Sequence, residues 1–455
     1  MSISFRPALS RVRLPAFRHP SQAVVSAFAA AVVVGTLLLM LPVARAGEGH
    51  APFTTALFTA TSAVCVTGLI VVDTPSYWSG FGEAVILGLI QIGGFGIMTL
   101  ASLLGLLVSR KMGLRTRLNA AAETKSLGIG DVRRVLVGVL KVTVFFEAIT
   151  AVLLTARFLV GYDEPLGRAV YHGVFHSVSA FNNAGFALYS DNLMPFVTDP
   201  WICLPIAVAV IFGGLGFPVL FELRRQLRSP RQWSLHTKLT VTVSGALLAL
   251  GTLFVTASEW SNPGTLGALD VPGRLLAGFF QAVMPRTAGF NSLDYGQMHD
   301  GTLLGTVILM FIGGGSASTA GGIKVTTFII LLFVIYAEVR GEESVNAFDR
   351  RIGSRVQRQA LTVALLAVAA VVGATLAIME LSGFALSDVL FEVTSAFATV
   401  GLSTGVTADL PGSAHLILVL MMFLGRLGPI TLASAIALRD RRRLYQLPEG
   451  RPIVG

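Results

Sequence analysis

Charge and cysteine are what this chain of 455 residues has least of. Lys, Arg, Asp and Glu supply only 13% of it, against roughly a quarter in a soluble globular domain, so water is not the solvent of most of its surface. Cysteine is limited to Cys65 and Cys203, both inside or beside apolar segments and without metal-ligand spacing, which argues against a disulfide or a zinc site. There is no HExxH and no convincing acid pair on facing helices, so no enzyme activity is expected. A GxGxxG unit and a soluble domain are also missing, so regulation has to come from elsewhere.

What the chain has in excess is apolar. Hydrophobic residues make up 53% and mean hydropathy is +0.73, the composition of an all-α polytopic membrane protein. Runs near 22–41, 82–108, 135–160, 200–223, 238–257, 302–337, 359–381 and 413–437 are each long enough to cross a hydrocarbon core of about 30 Å as a helix. The first follows Arg6, Arg11, Arg13 and Arg18 and ends near Ala44-Arg45-Ala46, which imitates a secretory signal. Its length exceeds the roughly 7–15 residues of a signal core, and it is read as a retained first helix. The net charge of +9 sits in short clusters between these runs and forms no continuous stripe, so cytosolic loops explain it and no nucleic-acid partner is expected.

One short stretch is written four times: Phe58 to Leu69, Phe175 to Phe186, Phe279 to Phe290 and Phe391 to Leu402. Aligned on Gly68, Gly185, Gly289 and Gly401, each copy has Phe ten positions before the Gly and Leu or Phe just after it. A second landmark follows 24 to 28 residues later: Gly93-Gly94-Phe95-Gly96, Gly213-Gly214-Leu215-Gly216, Gly313-Gly314-Gly315-Ser316 and Gly425-Arg426-Leu427-Gly428. The period of 117, 104 and 112 residues suits a pair of membrane helices with a shorter segment between them. Those shorter segments, 54–65, 170–182, 273–284 and 386–397, cannot span and read as re-entrant pore helices. The chain divides into a cytosolic segment 1–21, repeats at 22–134, 135–237, 238–358 and 359–438, and a cytosolic tail 439–455.

Positive residues orient the repeats. One set of connections carries Arg110, Lys111, Arg115, Arg117, Lys125, Arg133 and Arg134, then Arg224 to Lys238, Arg340 to Arg358 and Arg439 to Arg443. The alternate set holds little beyond Arg45, Arg168, Arg274 and Arg286. Both termini are therefore expected in the cytosol and all four glycine segments on the outer side.

Irregular backbone survives at membrane depth only when packed in protein or lining water. Val66-Thr67-Gly68, Asn183-Ala184-Gly185, Thr287-Ala288-Gly289 and Thr399-Val400-Gly401 each follow a short helix, where Gly opens backbone angles closed to other residues. Their carbonyls can then replace a cation's water shell, with the negative ends of the pore helices aimed at the same place. One Gly per copy, where a TVGYG filter has two, predicts looser discrimination among alkali cations.

Gly313-Gly314-Gly315-Ser316-Ala317-Ser318-Thr319-Ala320-Gly321-Gly322 interrupts an apolar run with small residues, each interior Gly costing roughly 1 kcal/mol of helix stability relative to Ala. A broken helix is expected there, in preference to a small-residue packing face. Arg426, near the middle of the last run, must face a carbonyl, an acid or water. Lys324 either joins it or snorkels to the cytosolic face. Asn182 and Asn183 are candidates for the pore mouth or for turn backbone, His172 and His176 for a solvent-facing stretch, and Glu392 and Asp388 for the outer mouth. Lys141 and Glu147 are candidates for pairing through neighbours, and Gly93-Gly94-Phe95-Gly96 for close helix packing.

On the four repeats with one filter glycine each, the Ser318–Lys324 run and the Arg in the last helix, the chain resembles the membrane subunit of the Ktr/Trk/HKT superfamily of potassium transporters, over roughly residues 20–437. Eight spans without an extra N-terminal pair make it more similar to the Ktr type, as does the ending Pro452-Ile453-Val454-Gly455. The resemblance implies pseudo-four-fold repeats around one pore, potassium-binding filter segments, an intramembrane gate loop at 313–322, and Arg426 at the narrow point beneath the filter. It further implies a homodimer in the cytoplasmic membrane and a separate cytosolic ring of nucleotide-binding subunits docking on the basic loops. Gly68, where some plant sodium-transporting members have Ser, favours potassium. The competing reading is an ion-coupled secondary transporter of a small solute, disfavoured because the repeats share one orientation and the spans are poor in Asp and Glu.

Overall fold

The computed structural model describes residues 20–110 and 132–428. The N-terminal arginines, most of the first basic connection, the tail 439–455 and its Pro452–Gly455 ending lie outside the described residues. Helices dominate: α1 Pro20–Leu39, α2 Phe53–Val64, α3 Gly80–Arg110, α4 Val132–Gly161, α5 Leu166–Phe181, α6 Pro200–Leu215, α7 Phe217–Gln226, α8 Leu235–Glu259, α9 Val271–Val283, α10 Asp300–Phe311, α11 Val325–Val339, α12 Ser354–Ser382, α13 Leu386–Ala398 and α14 Gly412–Leu427. A minimal hairpin, β1 Asn346–Ala347 and β2 Arg350–Arg351, joins α11 to α12.

Local chemistry sets many of the ends. Asp199 caps α6 by accepting from the Trp201 amide at 2.9 Å with Pro200 in the first turn, and Asp270 caps α9 by accepting from Gly273 at 3.1 Å. Gly383, in the left-handed region at φ 70°, stops α12. The long helices are apolar on their outer faces as well: Phe145 and Val152 on α4, Leu253 on α8 and Leu365 on α12 are 58–67% exposed. Lipid is the medium that such faces fit.

Short helices stand where the pore helices are expected, as α2, α5, α9 and α13, with α5 beginning four residues early, after Pro165. Each is tucked among longer neighbours, and the neighbours form a closed series: α3 meets α4 and α5, α6 meets α9, α10 meets α13, and α14 returns to α2.

Eight uninterrupted crossings are not what the structure contains. Among the described residues, α4, α8 and α12 are continuous helices long and apolar enough to cross. The run at 200–223 is instead α6 and α7, bent by 100° at Gly216, whose φ of 95° no helix accommodates. The run at 302–337 breaks as expected into α10 and α11, and α14 ends at Leu427 before Gly428 at φ 82°. Arg426 therefore lies in the last turn of α14, not in mid-helix. Lys238 stacks over Phe348 at 5.9 Å, so the connection before α8 and the β1–β2 hairpin share one end of the molecule.

Candidate functional site

The four tripeptides adopt one backbone. Val66, Asn183, Thr287 and Thr399 have φ of 55°, 58°, 71° and 52°, and Gly68, Gly185, Gly289 and Gly401 have φ of 89°, 69°, 75° and 92°. Left-handed geometry at β-branched Val and Thr is an outlier that only surrounding structure can hold. That hold comes from the pore helices. In the first copy Val66 and Thr67 donate their amides to the carbonyls of Ala63 and Ser62, and Gly68 donates to Ser62 Oγ at 3.0 Å. The fourth copy repeats this with Ala396, Ser395 and Ser395 Oγ at 3.1 Å. The second does so with Ala180 and Ser179, whose hydroxyl donates to Phe186 O at 2.8 Å.

With every such amide turned back, the carbonyls face the other way. None of the twelve tripeptide carbonyl oxygens accepts a hydrogen bond among the described residues, although all but Gly401 belong to buried residues. Buried backbone carbonyls are almost always paired. The tripeptides also meet. A methyl built on Gly68 would lie 3.1 Å from Gly185 Cα, one on Gly185 2.8 Å from Gly289 Cα, one on Gly289 3.2 Å from Gly401 Cα, and one on Gly401 3.0 Å from Gly68 Cα. The ring closes on itself with no room for a side chain. What this arrangement offers chemically is a tight cluster of oxygen dipoles without protons of its own.

A cavity of about 550 Å³ adjoins Gly68, Gly185 and Gly401. Asp73, Asp191 and Asp294 line it, and their negative field raises the local concentration of cations. Asp73 is fixed by Ser76 at 2.5 Å and Ser190 at 2.9 Å, and Asp294 by the Gly296 amide and Gln297, both at 2.9 Å. Tyr189 borders the same cavity, where burial and the nearby Glu164 push its phenol above the usual range.

Residues 313–322 form a loop with a narrow neck: Gly313 donates to Ile323 O at 2.8 Å and Val325 to Gly314 O at 3.0 Å. The loop is bonded to the α6–α7 break, with Gly315 donating to Gly214 O at 2.8 Å, Thr319 to Gly213 O at 3.3 Å and Phe217 to Ala317 O at 3.2 Å. Gly216 packs so closely here that a methyl on it would stand 2.5 Å from Ser316 O. Arg426, 4% exposed, donates through one nitrogen to Thr319 O and through the other to Gly93 O at 3.2 Å, joining the loop to α3. Lys324 does not snorkel: its Nζ turns back to Ala320 O at 2.5 Å. Gly321 and Gly322 press on Thr399 and Ala398, which brings this end of the loop against the fourth tripeptide, while Gly314 and Gly315 pack on Gly214 and Leu215.

Several sequence expectations need correction. Arg286, counted among the outer-loop charges, is 8% exposed and donates to Ser244 Oγ at 3.2 Å and Gly313 O at 3.4 Å. His172 and His176 are buried, not solvent-facing; His176 Nδ1 donates to His172 O at 2.7 Å while Nε2 accepts from the Leu188 amide at 3.2 Å. Glu392 does not face the mouth, because Ser403, Thr404 and Thr407 all donate to it at 2.5–3.1 Å inside the protein. Asn182 is likewise buried, donating to Gln91 at 2.9 Å and to Glu147 at 3.0 Å, and Glu147 takes these partners and not Lys141. The close packing expected of Gly93 holds, since its Cα faces the Val64 carbonyl, as Gly213 faces Phe181 and Gly425 faces Phe397. Gly401 to Gly405 has GxSxG spacing, which sequence reading missed; Ser403 follows a helix and spends its hydroxyl proton on Glu392. The serines six residues before Gly68, Gly185 and Gly401 were also missed, though the alignment of copies carries them.

Comparison with known proteins shows the family. The family described as TrkH, cation transport protein, matches residues 5–442. The chain is 41% identical to the Ktr system potassium uptake protein B of Bacillus subtilis (strain 168), covering 96% of this chain and 97% of that protein. It is 37% identical to the protein of the same name from Vibrio alginolyticus, over 94% and 93% of the two chains. With the potassium/sodium uptake protein NtpJ of Enterococcus hirae it is 36% identical, over 96% and 97%. In fold it is similar to the crystal structure of the potassium transporter TrkH from Vibrio parahaemolyticus, with a TM-score of 0.75 at 17% identity, covering 95% of this chain and 87% of that one. The chain belongs to the TrkH family of cation transport proteins.

Proposed function

We propose that this chain takes up potassium, and sodium to a lesser extent, across the cytoplasmic membrane through a filter of backbone carbonyls gated by the 313–322 loop. Four tripeptides that meet in one ring, with twelve carbonyls that accept no hydrogen bond among the described residues, carry the reading. A dehydrated monovalent cation is the partner that such oxygens lack, and the pore-helix C-termini add a favourable field. The names of the relatives, potassium uptake and potassium/sodium uptake proteins, support the same substrate class. Four repeats, 22–134, 135–237, 238–358 and 359–438, then surround the pore with pseudo-four-fold symmetry, both termini in the cytosol.

Arg426 and Lys324 hold the loop closed beneath the ring through Thr319 and Ala320. The lettered subunit names of the relatives support a separate regulatory partner, a cytosolic nucleotide-binding ring on the basic connections, with the membrane chain as a homodimer. Uptake of radioactive rubidium by cells lacking their own potassium systems tests the proposal. Rubidium accumulation that potassium suppresses is the expected result, and accumulation no greater than in cells without the gene would refute it.

A further inference from the structure

The gate loop and the filter touch through side chains as well as backbone. Thr319 Oγ1 donates to Asn183 Oδ1 at 2.9 Å across 136 positions of sequence, with both residues fully buried. Asn183 is the left-handed first residue of the second tripeptide, so the side chain that grips the loop belongs to a residue whose own carbonyl accepts no hydrogen bond among the described residues. The other three copies have Val66, Thr287 and Thr399 at this place, so the backbone there does not require Asn. Thr319 is pinned on every side: its amide by Gly213 O at 3.3 Å, its carbonyl by Arg426, its hydroxyl by Asn183.

We infer that Asn183 is a positioning residue that couples the loop to the filter, so that displacing the loop alters ion discrimination together with rate. The inference rests on the gate reading proposed above. Moving Thr319 away removes the partner of Asn183 Oδ1, and an amide oxygen stranded in a buried site is unfavourable enough to force a side-chain rearrangement. Asn183 Nδ2 already has no partner, so rotation of this amide sacrifices nothing on its other side. Because a single methylene separates the amide from the backbone, its rearrangement is felt at the Asn183 carbonyl and at Ala184 next to it. The fourth tripeptide is touched as well, since Gly321 packs on Thr399 Oγ1.

The test uses the full chain in liposomes, with rubidium influx and its inhibition by sodium as the two readouts. Thr319→Val keeps the shape of the side chain, lies outside the filter and removes the donor; Asn183→Gly removes the acceptor where glycine accepts the left-handed backbone. Each single change is expected to raise basal influx about fivefold, the size of one buried hydrogen bond, and the double change no more than either alone. Thr319→Val is also expected to shift the sodium concentration that halves rubidium influx by about twofold or more, which looser packing of the loop by itself would not do. Thr319→Ser, which keeps the hydroxyl, is expected to behave as the parent and serves as the folded comparison. Multiplicative effects in the double variant, or an unchanged sodium response in Thr319→Val, overturn the coupling. Deleting 314–320 in parallel separates the two readings: raised influx there with no effect of Thr319→Val sinks the coupling alone, whereas unchanged influx in the deletion sinks the gate and the coupling together.

Discussion

Replacing Gly185 by Ala tests whether the ring of tripeptides is the ion's path. The added methyl would lie 2.7 Å from Ala288 O and 2.8 Å from Gly289 Cα, where ordinary contact begins at 3.4 Å, so the third tripeptide has to retreat by roughly 0.6 Å. The backbone at φ 69° adds a left-handed penalty of about 1–2 kcal/mol for any residue with a Cβ. Neither strain can be relieved by a side chain turning aside, because both neighbouring atoms are backbone. Oxygens that close on a bare cation tolerate displacements much smaller than this, and rubidium influx is expected to fall by about tenfold or more, equivalent to about 1.4 kcal/mol at the ion's tightest site. Gly373→Ala supplies the control: that glycine is inside α12 with nothing within 4 Å, and Ala there should stabilise the helix by about 1 kcal/mol and leave influx unchanged. Influx and chromatographic behaviour measured on both purified variants decide the matter. If Gly185→Ala is monodisperse and conducts rubidium as the parent does, with the same sodium response, the ring is not where the ion passes.

Removing 314–320 takes away the loop partners of Arg426, Lys324 and Asn183 and should raise basal rubidium influx in liposomes; influx at or below the parent level in well-folded protein counts against gating. Ser395→Ala removes the hydroxyl that receives the Gly401 amide at 3.1 Å, a loss of about 1 kcal/mol that should appear as a lower melting temperature and weaker selection of rubidium over sodium. Gly216→Ala would drive a methyl into Ser316 O at 2.5 Å from a residue at φ 95°; loosening of the loop, read as a rise in basal influx, is expected, and unchanged influx would show that the α6–α7 break does not brace it.

Two kinds of feature were legible in the sequence, for opposite physical reasons. The tripeptides announce themselves because a left-handed glycine has almost no substitute, so Gly68, Gly185, Gly289 and Gly401 keep their spacing from the preceding Phe while most positions between them vary. The loop at 313–322 announces itself because a block of small residues has no helical propensity to offset. The break at Gly216 was hidden by its setting, a run that is apolar from 200 to 223. Hydropathy measures affinity for lipid and is blind to a single residue whose φ cannot be helical. The trace it did leave is Pro218, which suits the first turn of a new helix better than the interior of an old one.

Burial was misjudged at Glu392, His172, His176 and Asn182 for a common reason. A pore helix in water-soluble terms looks half exposed, yet α5 and α13 are enclosed by longer helices on nearly all sides, so their polar groups are answered by protein donors and acceptors. Arg286 and Arg426 extend the point. Counting positive residues by connection assigns Arg286 to the outer surface, since its chain segment enters and leaves from that side. A re-entrant segment, however, reverses at its tip, and the tip is the part farthest from the surface it came from. Arg286 stands three residues before Gly289 and Arg426 in the last turn of α14, and both end within reach of the same loop, at Gly313 O and Thr319 O. Arg286 and Arg426 thus share a position close before a glycine with positive φ, and it is that position, not the connection each is counted with, that brings both to the one loop.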